Sequence, residues 1–129
     1  MFDSISIFIS GLISGMILFQ TSVIAPSVFK TLSEEGASPF LRSIFPKLFL
    51  IILVLGAFQS VISVIQASIT LTIIGFITFV SMLIAYLIVP ATNKARDDND
   101  EKSFKRLHLI SIILTVIVLL ANIAVIFIN

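Results

Sequence analysis

The chain has 129 residues, 58% of them hydrophobic and only 12% charged, which is too little polarity to coat a soluble domain. There is no cysteine, so disulfides, thiolate metal sites and cysteine nucleophiles are excluded. A formal net charge of +1 gives no electrostatic basis for binding nucleic acid.

The charges are segregated. All eight Lys and Arg fall in two clusters, Lys30, Arg42 and Lys47 in one and Lys94, Arg96, Lys102, Lys105 and Arg106 in the other, and every acid except Asp3 shares them. A membrane span needs about 20 apolar residues. The apolar run 5–29 therefore predicts a first helix over 4–30. It reads as a retained span, because no basic residue precedes it, its apolar part is too long for a leader and no A-x-A site follows. Ser4, Gly11, Gly15 and Ser22 fall within about 40° of one another on this helix. Gly11 and Gly15 have GxxxG spacing, so the stripe is expected to pack closely, either inside the bundle or against a second copy.

Pro26 is expected to end the first helix and Pro46 to open the second. Between them, Ser38-Pro39 reads as an N-cap and first-turn proline, predicting a short interfacial helix over 39–44 with Arg42 at the headgroups. The unbroken apolar stretch 48–89 would make a rod of about 60 Å, twice the hydrocarbon thickness, so it must fold back. Its most polar point, Gln66-Ala67-Ser68-Ile69-Thr70, is the expected hairpin, giving helices over 46–66 and 69–92. In the second helix Gly56, Gln59, Ser60, Ser63 and Gln66 form a polar side, and Gln59 should face another helix because an unpaired amide in hydrocarbon is costly. The third carries Ser68, Thr72, Gly75, Phe79, Met82 and Tyr86 at three-four spacing and is expected to stop at Pro90.

The run 107–128 predicts a fourth helix over 104–128, with His108, Ser111, Thr115 and Asn122 within about 60° of one another. Interhelical hydrogen bonding accounts for this stripe. His108 also enters its helix at the depth of Pro26, Pro46 and Pro90, so the charged end gathers freed carbonyls, an imidazole and Arg42. That mouth is where a ligand would be sought, with His108, Ser111, Thr115, Pro26, Pro46 and Arg42 as candidate residues.

The expected fold is an all-α integral membrane four-helix bundle, one domain, up-down-up-down. Every Lys and Arg then lies on one face, which the positive-inside rule makes cytoplasmic, leaving both termini extracytoplasmic.

Several segments carry a resemblance. Pro26-Ser27-Val28-Phe29, Arg42-Ser43-Ile44-Phe45-Pro46, Val89-Pro90-Ala91-Thr92 and Phe104-Lys105-Arg106-Leu107-His108-Leu109-Ile110-Ser111 are together similar to the transmembrane protein 205-like family, domain of unknown function 4149. The resemblance implies a four-helix membrane fold and draws attention to Pro26, Pro46, His108 and Ser111, without implying an activity. One position departs: where the family places Asn, seven residues after the His, this chain has Thr115.

The middles of the spans lack Asp, Glu, Lys, Arg and His, which argues against a proton relay or ion pump. One His and three Met, of which Met82 could lie within the bundle near His108, are a weak basis for haem. The run Asp97-Asp98-Asn99-Asp100-Glu101 lacks the central Gly and distal Glu of a calcium loop. No G-x-S-x-G or HExxH occurs. The expectation is a non-enzymatic membrane protein without metal or cofactor, multi-pass in a bacterial cytoplasmic (inner) membrane. It would pack against the bilayer and against itself or a larger membrane complex, as an accessory or assembly bundle. The alternative is handling or transport of a small ligand or metal at the His108 mouth.

Overall fold

The computed structural model describes residues 2–128, with side chains over 4–128. The described residues are helical throughout, apart from short turns, and contain no strand. Four long helices account for them: α1 (Ser4–Thr31), α2 (Glu34–Ile65), α3 (Ile69–Asp97) and α4 (Glu101–Ile128). Each is long and apolar enough to cross a membrane, and the protein is a multi-pass integral membrane protein.

The prolines act differently from the sequence expectation. Pro26 does not end α1. The ring would press on the Ser22 carbonyl and offers it no N–H, and the helix responds by widening over Gln20–Ile24 into a π turn, in which the Ala25 N–H reaches Gln20 O. It then continues through Ala25–Thr31, until Leu32 turns extended. Nor does Pro46 open α2. That helix begins at Glu34, after an extended Ser33, and runs unbroken to Ile65 with Pro39 and Pro46 both inside it. The separate interfacial helix over 39–44 is thus simply part of α2, and Ser38 is not its cap. Glu34 and Glu35 favour this start through the helix dipole. At Pro90 the expectation holds in part: the regular helix ends at Leu87 with a turn at Ile88, but a further helical segment, Val89–Asp97, follows with Pro90 in its first turn, where no N–H is needed.

Two tight turns share one construction. After α2, Ala67 takes φ 55°, its N–H donates to Val64 O and the Ser68 N–H to Ser63 O. After α3, Asn99 takes φ 56°, its N–H donates to Arg96 O and the Asp100 N–H to Ala95 O. Both are Schellman closures, built without glycine. The first falls at the polar point where the hairpin was expected. Ser68 and Asp100 then cap the following helices, accepting from the Leu71 and Ser103 N–H groups. The Ser103 hydroxyl and N–H hold the Asp100 carboxyl below the usual carboxylate range.

Pairing fixes the arrangement. Ser6 meets Gln66 and Ser10 meets Gln59, so α1 and α2 are antiparallel. A Cβ on Gly56 would lie 2.8 Å from Thr78 Cγ2, and one on Gly75 2.8 Å from the Ser60 N, so α2 and α3 are antiparallel and nearly in backbone contact. The α4 helix packs on α3 and returns against α1. The main core joins Ile9, Ile13 and Ile17 to Phe49, Ile52, Met82, Ala85 and Val118, and a smaller one joins Leu71, Ile74 and Val125. Phe8, Phe58, Phe76 and Phe127 point outward, as suits a molecule solvated by lipid.

Candidate functional site

The interior holds a set of polar side chains, each on a long helix. Gln59 is fully buried and its Nε2 donates to Ser10 Oγ at 2.7 Å. Asn122, 3% exposed, donates through Nδ2 to Thr78 Oγ1 at 2.9 Å and to Val118 O at 2.8 Å. The Thr78 hydroxyl in turn donates to Ile74 O. Nearer the α2–α3 turn, Ser6 Oγ donates to Gln66 Oε1 at 2.9 Å. Such bonds tie α1 to α2 and α3 to α4 in a setting where lipid supplies no competing donor or acceptor.

The opposite, charged end is organised by Arg42. Its guanidinium makes a two-pronged pair with Asp97, Nη1 to Oδ2 at 3.3 Å and Nη2 to Oδ1 at 2.5 Å, tying α2 to the end of α3. Arg96 lies 5.0 Å over the Phe104 ring, and His108, one turn along α4 from Phe104, stacks with it at 5.6 Å and 6° from parallel. An open depression of about 470 Å³ sits between Glu34, Arg96, Asp100, Glu101 and Lys105.

The candidate ligand residues do not converge there. His108 is exposed and touches Phe104. Ser111 and Thr115 are half-buried, and the Thr115 hydroxyl is engaged with its own helix through Ser111 O. Pro26 is exposed and Pro46 half-buried, each inside its helix. Of the six, Arg42 has a described side-chain hydrogen bond to another helix, and its side-chain partner is Asp97. None of the six lines the depression. Among the described residues no three His, Cys, Asp or Glu are grouped so that they could hold a metal ion.

The candidate packing residues divide. Gln59 and Asn122 are buried and bonded to neighbouring helices. Gly11 and Gly15 are not in the interior: both lie on the outer surface, with no atom within 4 Å of a Cβ built on either. Ser4 and Ser22 are exposed with them. The reading of this stripe as an internal packing face is corrected on that ground. The buried side of α1 is instead Ser6, Ser10 and Ser14 between Ile9, Ile13 and Ile17. Those three serines, and Thr78 and Ser81 on α3, are buried and are not among the candidate residues above. The signal was there, since Ser6, Ser10 and Ser14 recur at the four-residue spacing of a single helix face.

No curated protein and no solved structure matches the chain. The family match runs over residues 8–101, covering most of α1, all of α2 and α3 and the first residue of α4, and stopping short of His108 and Asn122. The chain belongs to the family described as Domain of unknown function (DUF4149).

Proposed function

We propose that this protein is a non-catalytic membrane bundle that acts by packing against other membrane helices, as an accessory or assembly subunit. The observation that supports this reading is the outward GxxxG pair. Gly11 and Gly15 face away from the bundle with open space above them. Against lipid tails a bare helix surface gains nothing in particular, while against another helix it allows backbone approach and dense van der Waals contact. The occupant is a helix of a second copy or of a larger complex. The positive-inside rule supports extracytoplasmic termini, the short loops and compact chain support a bacterial cytoplasmic membrane, and the proline and His-x-x-Ser segments support kinship with transmembrane protein 205-like proteins.

The test is cross-linking and co-purification from native membranes, wild type beside a Gly11→Leu, Gly15→Leu double variant. A dimer or reproducible partner lost in the variant is the expected result. A wild type recovered alone from gently solubilised membranes, with no cross-link through α1, would remove this reading. The alternative of ligand handling at His108 draws on less: an exposed ring stacked on Phe104, apart from the residues expected to join it.

A further inference from the structure

We propose that the bundle interior binds water, held by the side-chain amides of Gln59 and Asn122 in the half of the molecule nearer the α2–α3 turn. This stands independently of what packs on Gly11 and Gly15.

Asn122 Nδ2 donates to Val118 O, a backbone carbonyl that can only accept, so the amide is held with nitrogen towards Val118. The second hydrogen goes to Thr78 Oγ1, whose own proton is committed to Ile74 O. Thr78 therefore has no proton to return, and Asn122 Oδ1 is left buried without a donor from the protein.

Gln59 reaches the same state by another route. It is fully buried, its Nε2 is bonded to Ser10, and its Oε1 has no partner within the protein. Turning the amide over lets the Ser10 hydroxyl donate to oxygen but strands the nitrogen, so one end of Gln59 is unmatched in either orientation. One turn further along α2, the fully buried Ser63 hydroxyl is also unpartnered, as is that of Ser14 one turn beyond Ser10 on α1.

Leaving such groups unpaired in the bundle interior forfeits their hydration with nothing in return, and the helical backbone has no spare N–H in these turns to offer them. What the two amide oxygens lack is hydrogen-bond donors, and what the serines lack is a neutral partner that can both give and accept. Water has that chemistry. A cation would satisfy the oxygens too, but no carboxylate lies among these residues to balance its charge, and an unbalanced buried charge is far more expensive than an unpaired amide. The Ser6–Gln66 pair, beside the half-exposed turn, places a polar contact between this region and the bundle end. On the other side Ile13, Ile17, Ile52 and Met82, all essentially inaccessible, close it off.

The experiment is water-edited magic-angle-spinning NMR of the whole wild-type chain in lipid bilayers, reading magnetisation transferred from water to assigned sites. The expected result is early transfer to the Gln59 and Asn122 side-chain NH₂ groups, on the time course of exposed Asn99, while the Ile17 and Ile52 methyls stay dark. Gln59 and Asn122 amides as dark as those methyls would overturn the proposal. Because the wild type is used, no variant needs to fold for either outcome to be read.

Discussion

Asn122 and Thr78 form the contact that joins α4 to α3: Nδ2 lies 2.9 Å from Oγ1, and the hydroxyl is aimed by its own bond to Ile74 O. Thr78→Val keeps the shape and removes the acceptor. It is expected to weaken the α3–α4 association by about 1 kcal/mol. Asn122→Ala added to it should cost less than Asn122→Ala alone, since the pair acts as a unit. Steric-trapping measurements of unfolding in bicelles, run as a double-mutant cycle, check both statements.

The glycines of α2 and α3 are expected to behave oppositely to those of α1. A Cβ on Gly75 would sit 2.7 Å from Ser60 Oγ and 2.8 Å from the Ser60 backbone N, which cannot swing aside. Gly75→Ala should therefore force the hairpin apart and cost about 1–3 kcal/mol. Gly11→Ala and Gly15→Ala meet nothing and should leave the unfolding of the isolated chain unchanged. The same unfolding assay, at high detergent dilution to exclude association, separates the two pairs.

Ala67 holds a left-handed backbone at φ 55° in the α2–α3 turn. Ala67→Gly relieves that conformation and should stabilise the chain by about 1 kcal/mol. Ala67→Val, branched at Cβ, should do the reverse. Thermal midpoints of the two variants, on either side of the wild type, are the measurement.

Arg42 and Asp97 meet where water reaches them, with side chains 34% and 61% exposed. Exposed pairs gain little because water and salt screen them. Asp97→Asn is expected to leave the thermal midpoint unchanged at physiological ionic strength. A clear drop that vanishes in high salt would contradict this.

The bilayer made much of this fold readable. Four apolar runs between charge clusters have few ways to be arranged, and a polar point such as Gln66-Ala67-Ser68 in a long apolar stretch has to be a turn. What the sequence does not carry is which side of each helix faces in. On α1 two stripes of small residues compete, Ser4-Gly11-Gly15-Ser22 and Ser6-Ser10-Ser14, and a helical wheel ranks them by spacing alone. On α3 the buried line is Leu71, Ile74, Gly75, Thr78, Ser81, Met82 and Ala85, which shares Gly75 and Met82 with the line expected through Ser68, Thr72, Gly75, Phe79, Met82 and Tyr86 and leaves out its other members. Lipid blurs the contrast, since an outward Phe or Ile is as comfortable as an inward one. The prolines misled for a related reason: Pro39 and Pro46 look like helix starts, yet a helix can carry a proline where the freed carbonyl lies near water, as at the charged end of α2. The gathering of candidate residues around His108 rested on equal depth, and equal depth does not bring side chains on different faces together.

The unbroken course of α2 has a mechanical consequence. Its 32 residues make a rod of about 48 Å, against about 30 Å of hydrocarbon. A span of that length is accommodated by tilting or by carrying its charged end out of the hydrocarbon. Glu34, Glu35 and Arg42 sit at that end, where the tail of α3 meets α2 through Asp97. A thicker or thinner bilayer is then met by changing how much of one continuous helix lies in the apolar layer, with no new turn in the chain.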